Sequence, residues 1–157
     1  MGKNQEIAIL NDLVRATCQS TDRCAVAVRA CEDGYRKMVI EQLCEDRRLL
    51  LVDLIRCLLL RGVPVPEVRK AVVLSPPAAI PVVDVDVIWI DIEIAEKRLH
   101  QALRAALQDP GLSESVRELL SLHYLRIRLH HDELDGLAAH RSSLVEPQSL
   151  ARRGVHH

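Results

Sequence analysis

Ile7, Leu10, Val14, Thr17, Thr21, Cys24 and Val28 follow one another at steps of three and four, and Ile40, Leu43, Leu50, Leu54 and Leu58 repeat the pattern further along. Spacing of this kind lays one apolar stripe along each of two amphipathic helices. The expected helices cover about 4–31 and 34–61. At 1.5 Å per residue, each is on the order of 40 Å long. "EDGY" separates them, with Gly34 as the turn residue and Asp33 placed to cap the second helix, which stops at Gly62 and Pro64. Phe is absent and aromatic residues make up 2% of the 157 residues, so the core is aliphatic, which favours packed helices over aromatic-rich sheets. A chain of this length buries a core as one domain without staples.

The segment "VDVDVIWIDIEIAEKRLHQAL", Val83 to Leu103, poses a conflict. Its first half alternates Val/Ile with Asp/Glu as a strand does. Ile88, Ile92, Ala95, Leu99, Ala102 and Ala106 nevertheless form an unbroken helical series, and no other segment offers a comparable strand to pair with. A helix over about 84–108 is expected. "SESVRELL" follows, where Ser115 and Glu118 have capping-box spacing, and the last helix is expected over about 115–140. Its face carries Val116, Leu119, Leu120, His123, Ile127, His130, His131, Leu134 and Leu137. Between the helix pairs, residues 62–83 hold Pro64, Pro66, Pro76, Pro77 and Pro81 and read as a long crossover. Residues 141–157 have no period and are expected to form a loosely ordered tail. The fold class is thus all-α, an up-down-down-up four-helix bundle over residues 1–140.

With 21 Lys and Arg against 22 Asp and Glu, interspersed, the chain lacks the basic bias of a nucleic-acid binder. "MGKNQEIAIL" has no signal-peptide h-region, and Glu6 stands where a myristoylation motif needs Ser or Thr. The most apolar run, "LLLVDLIRCLLL", is interrupted by Asp53 and Arg56 and is too short to span a bilayer. A cytoplasmic protein without membrane or nucleic-acid partners is expected. The five cysteines, Cys18, Cys24, Cys31, Cys44 and Cys57, include no CxxC pair and read as reduced thiols packed like small hydrophobes.

At the residue level the chain resembles a bacterial family of ferritin-like four-helix-bundle proteins of unassigned function. The likeness covers roughly residues 5 to 135 and is carried by "ILNDLVRATCQSTDR", "LLLRGVP", "EIAEKRLHQALRAAL" and "VRELLSLHYLRIRLHHD", with Tyr124 and His131-Asp132 in place. Arg23-Cys24 stands where that family usually has a Gly-aromatic pair. Glu93-Ile94-Ala95-Glu96-Lys97 stands where it usually has Glu-Arg-Gly-Glu-Asp.

Carboxylate-bridged di-iron and di-manganese bundles need inward Glu residues and two Glu-x-x-His pairs, because the i, i+3 spacing sets both ligands on one helix face. Three residues before His131 stands Arg128; Glu45 is followed by Arg48 and Glu41 by Cys44. The candidates that remain for a metal are Asp22, Glu45, Glu93, Glu96 and His131. Arg47 falls in the second-helix stripe between Leu43 and Leu50, and a buried Arg must find carboxylates. It is expected to meet Asp22 or Glu93 at mid-bundle, where a metal would sit. His123 lies seven and eight residues from His130 and His131, about 10 to 12 Å along a helix and too far to share one ion. No nucleophile elbow, phosphate loop or HExxH motif occurs.

The expected function is therefore a non-catalytic association module with a degenerate metal site and no cofactor; the alternative is an iron or manganese redox or storage protein. Apolar residues off the main stripes point to a homodimer or larger homo-oligomer. Leu51 and Leu59 on the second helix are the candidate contacts, with Leu122, Leu125 and Leu129 on the last.

Overall fold

The computed structural model describes residues 2–72, 85–130 and 132. Helix α1 runs Gly2–Ala30 and α2 runs Gly34–Leu60. Asp33 sits in extended conformation between them and accepts from the Tyr35 amide at 3.0 Å, satisfying one of the donors a helix start leaves open. At the far end of α2, Val63 N donates to Leu58 O at 3.1 Å and Gly62 N to Leu59 O at 3.0 Å. This Schellman pair requires a left-handed residue, and Gly62 supplies it with φ 83°.

The proline-rich crossover differs from expectation. A short helix, α3, occupies Val65–Ala71, opened by Pro64 at its cap and Pro66 in its first turn. Prolines suit that position because the first turn has no intrahelical use for their missing N–H. Val68 is buried, and Val63, Ala71 and Val72 pack beside it against the core. The rest of the expected crossover, 73–83, lies outside the described residues.

Helix α4 runs Val85–Gln108, so the helical period wins over the strand-like alternation; among the described residues no strand occurs. The alternation has a physical origin. Val87, Ile90 and Ile94, which made the segment apolar on two faces, are exposed, while Ile92, Leu99, Leu103 and Ala106 fill the core. The last helix, α5, covers 114–130, and residues 131 and 133–140 of its expected continuation, with the tail 141–157, lie outside the described residues. It begins one residue before Ser115, so Ser113 rather than Ser115 takes the cap position, with Arg117 N donating to Ser113 O at 2.9 Å. The expected Ser115–Glu118 box is displaced because Glu6 of α1 accepts from the Ser113 amide at 2.9 Å.

Cross-helix bonds fix the directions. Glu6 of α1 pairs with Arg61 after α2, so those helices are antiparallel. Gln5 bonds Asp109 at 2.8 Å and Arg23 faces Asp91 at 3.7 Å, so α4 also runs against α1. His123 meets Asp53 and His130 meets Asp46, so α5 runs against α2.

Among the described residues, two apolar clusters make the interior. The larger gathers Leu10, Leu13, Leu50, Leu54, Leu58, Leu99, Leu103, Leu120 and Ile127; the smaller gathers Cys24, Ala27, Ile40, Leu43 and Ile92. Leu51, expected on an outer stripe, is 9% exposed and belongs to the larger cluster. Among the described residues no helix is long and apolar enough to cross a membrane.

Gly62→Ala should destabilise the fold by roughly 1 kcal/mol through its left-handed backbone alone, since a Cβ there meets nothing closer than Lys3 Nζ at 3.9 Å. Gly34→Ala, with nothing within 4 Å and no positive φ, should be neutral or stabilise by up to about 1 kcal/mol. Urea unfolding of the two variants reads the contrast, and equal effects would contradict the left-handed assignment.

Candidate functional site

Between the two apolar clusters lies a polar layer built on Arg47. Its position in the α2 stripe drives the side chain inward, where it is 1% exposed. Burying a guanidinium without a counter-charge is prohibitive, and α4 supplies one in Glu96, also 1% exposed. Arg47 Nε donates to Glu96 Oε1 at 2.9 Å and Arg47 Nη2 donates to Oε2, a two-pronged pair. Ser20 of α1 adds its hydroxyl to Oε1 at 2.6 Å. Three helices thus meet at one carboxylate. Burial by itself would raise the Glu96 pKa; the hydrogen bonds and charge of Arg47, with smaller help from Ser20 and His130, outweigh it and hold the carboxyl below its ordinary value.

On the α5 side of this layer, His130 Nε2 lies 2.7 Å from Asp46 Oδ2, and Asp46 also accepts from Gln42 at 3.3 Å. Among the described residues His130 Nδ1 has no hydrogen-bond partner although it is buried. Two turns away His123 Nε2 lies 2.8 Å from Asp53 Oδ2. The pairs stand seven residues apart on each helix, the repeat an antiparallel seam needs. At the opposite end from the α1–α2 turn, Glu6, Arg61 and Ser113 form a second junction, with Arg61 Nη2 donating to Ser113 Oγ at 2.9 Å. Arg61 and Ser113 outweigh the desolvation of Glu6, whose pKa is also lowered.

The residues expected at mid-bundle divide. Arg47 and Glu96 come together as a cluster, the guanidinium being forked by Glu96 where Asp22 or Glu93 was the expected partner. Glu96 takes both prongs because the α1–α4 register sets it level with Ser20, leaving Glu93 half-buried one turn away and Asp22 half-buried on α1. Glu45 is not part of the layer: it points outward and pairs with Arg48 on its own helix. His131 lies outside the described residues. Ser20, Asp46 and His130 were not among the expected cluster. The matching seven-residue intervals Asp46 to Asp53 and His123 to His130 were the signal for two of them.

Neither oxygen of Glu96 is free of a donor, and Glu45 faces away, so these carboxylates do not converge as a ligand set. Among the described residues no group of three or more His, Cys, Asp and Glu side chains is arranged to hold a metal ion. What the layer does chemically is fix register: each helix must present one named partner at one level. Compared with protein-family models and with curated proteins, the chain matches none.

Arg47→Ala should destabilise the protein by about 3 to 5 kcal/mol by stranding the Glu96 carboxylate, whereas the double variant Arg47→Met/Glu96→Leu should recover most of that loss. Equal losses in single and double variants, measured by chemical denaturation, would show that packing and not charge governs the position.

A pH series gives an independent readout. A carboxyl whose folded pKa lies below its unfolded value of about 4.3 contributes full stability above that pH and loses it as pH falls through the lowered folded value. Glu96→Gln should lower stability at neutral pH and make the acid limb shallower, without flattening it, because Glu6 titrates in the same direction. An unchanged acid limb would contradict the lowered value.

Proposed function

We propose that the chain forms a ferritin-like, up-down-down-up four-helix bundle that acts by protein association, its interior metal position given over to the Arg47–Glu96 pair, and that its first partner is a second copy of itself. The antiparallel pairs α1/α2, α1/α4 and α2/α5 are the directions such a bundle requires. The Glu96 carboxylate, saturated by Arg47 and Ser20, supports the degenerate-site reading.

The observation that carries the association reading is the outer face of α5. Leu122, Leu125 and Leu129 are 62%, 56% and 64% exposed at i, i+3 and i+7, a continuous stripe directed away from the core. Leu59, Leu49 and Val52 of α2 and Val87, Ile90 and Ile94 of α4 are exposed as well, while no large apolar side chain of α1 is. The apolar surface therefore lies on the α2, α4 and α5 sides, and Leu51, buried in the core, takes no part in it. A second copy suits the α5 stripe because a two-fold axis near Leu125 sets Leu122 of one copy against Leu129 of the other, so a single face covers itself. Leaving such a stripe in water invites aggregation.

Sedimentation equilibrium at micromolar concentration should give twice the 17.6 kDa chain mass. Leu125→Glu should return the chain mass with helical content intact. A wild-type chain that sediments as a monomer, with Leu125→Glu leaving its stability unchanged, would refute self-association. Stoichiometric iron or manganese in protein purified without chelator, lost on replacing Glu96, would refute the degenerate site.

A further inference from the structure

Of the five cysteines, two face each other across α1 and α2. The antiparallel register that sets Glu6 against Arg61 and Ser20 level with Arg47 also sets Cys24 level with Cys44, one turn beyond the polar layer. Cys24 is buried in the smaller apolar cluster, and half-buried Cys44 packs against that cluster. Cys24 and Cys44 therefore adjoin across the α1–α2 seam, and each perturbs the ionisation of the other.

Their surroundings differ. Cys44 lines an open groove of about 350 Å3 between the helices, walled by Thr21, Ala25 and Val28 of α1, with Arg29, Glu41 and Arg48 at its polar edges. Solvent and small molecules reach it there, and Cys24 stands behind it on the dry side. Interaction with the Cys44 sulfur raises the Cys24 pKa well above the ordinary thiol value, an effect to which burial and the Glu96 charge add. The same interaction lowers the Cys44 pKa; Arg47 assists, while burial and the charges of Glu41 and Glu96 oppose without prevailing. Of the two, Cys44 is the sulfur that meets the groove and whose ionisation is favoured, and Cys24 is the one held back in the apolar cluster. Nothing comparable surrounds the other three. Burial raises the pKa of Cys18 and Cys57, and the Cys31 thiol is engaged with Asp33 O at 3.6 Å.

We propose that Cys24 and Cys44 form a hydroperoxide-responsive dithiol, with Cys44 as the attacking sulfur and Cys24 as the sulfur that resolves it into an interhelical disulfide. The Cys44 thiolate attacks one peroxide oxygen; the S–O bond forms as the O–O bond breaks, and the departing oxygen takes up a proton as water or an alcohol. Cys44 is then a sulfenic acid. The Cys24 sulfur, losing its proton, attacks the Cys44 sulfur, the S–O bond breaks and the hydroxyl leaves as water. Two thiols and one hydroperoxide become one disulfide, one alcohol or water from the peroxide, and one further water, the two electrons passing from the sulfurs to the O–O bond. This chemistry uses a different face from the α5 stripe and does not rest on the association reading.

The wild-type chain itself provides the test, so no variant need fold for the idea to fail. Fully reduced protein treated with one equivalent of hydrogen peroxide should lose the mass of two hydrogen atoms per chain and, on alkylation, take up three alkyl groups instead of five. Tryptic cleavage at Arg23, Arg29, Lys37 and Arg47 puts Cys24 and Cys44 on separate peptides, CAVAVR and MVIEQLCEDR, distinct from that of Cys31. These two should be recovered joined under non-reducing conditions. Cys24→Ala should accumulate a Cys44 sulfenic acid trapped by dimedone, and Cys44→Ser should consume peroxide at least about tenfold more slowly. A disulfide through Cys31 or between two chains, no loss of mass, or alkylation of Cys44 no faster than that of Cys31 at neutral pH would each overturn the assignment.

Discussion

Everything in the interior is arranged around the cost of keeping one guanidinium dry. Arg47 has no route to water, so Glu96 must stand opposite it, and Ser20 must cap the carboxylate oxygen that the fork leaves under-used. An apolar core tolerates small slips of one helix along another, since one Leu replaces another at little difference in free energy. A buried, two-pronged ion pair does not, because a shift of even one residue leaves two charges without partners. The layer therefore sets three helices in a single relative register and explains why the aliphatic residues on either side fall into two clusters instead of one.

The Asp46–His130 and Asp53–His123 pairs extend the same logic to α5, with a softer penalty. Each rests on a single contact, and Asp53 is only partly buried, so these pairs hold the helix at one level with less at stake than the two-pronged pair. At the far end, Glu6 and Arg61 close the stack, and the α5 cap at Ser113 borrows the Glu6 carboxylate instead of its own side chain. Polar contacts thus sit at an end and at mid-height, and the lengths between them are aliphatic.

Much of this could be read along the chain and some could not. The stripes Leu10–Val14–Thr17 and Leu43–Leu50–Leu54–Leu58 are local signals, periodic within one helix, and their residues are buried where the period puts them. The burial of Arg47 follows from the same period. Its partner does not, because Glu93 and Glu96 differ by only one turn and the choice depends on how α4 slides against α1, which no single helix encodes. Leu51 was misplaced for a related reason: α2 packs against neighbours on both flanks, so its buried arc is wider than one stripe. The helix in the crossover was hidden because Pro66 reads as a breaker, although a proline in a first turn starts a helix as readily as it ends one.

The α1–α2 connection has a kinetic consequence. Only residues 31–33 separate these helices, so their hairpin closes with little loss of chain entropy, whereas Arg47 and Glu96 lie 49 residues apart and Ser20 and Glu96 lie 76 apart. Folding then proceeds from the short hairpin to the long-range pairings, and α4 docks onto a platform on which Arg47 is already presented. Closing the ion pair costs more chain entropy than closing the hairpin, which makes it less a nucleus than a gauge of whether α4 has arrived in the right place.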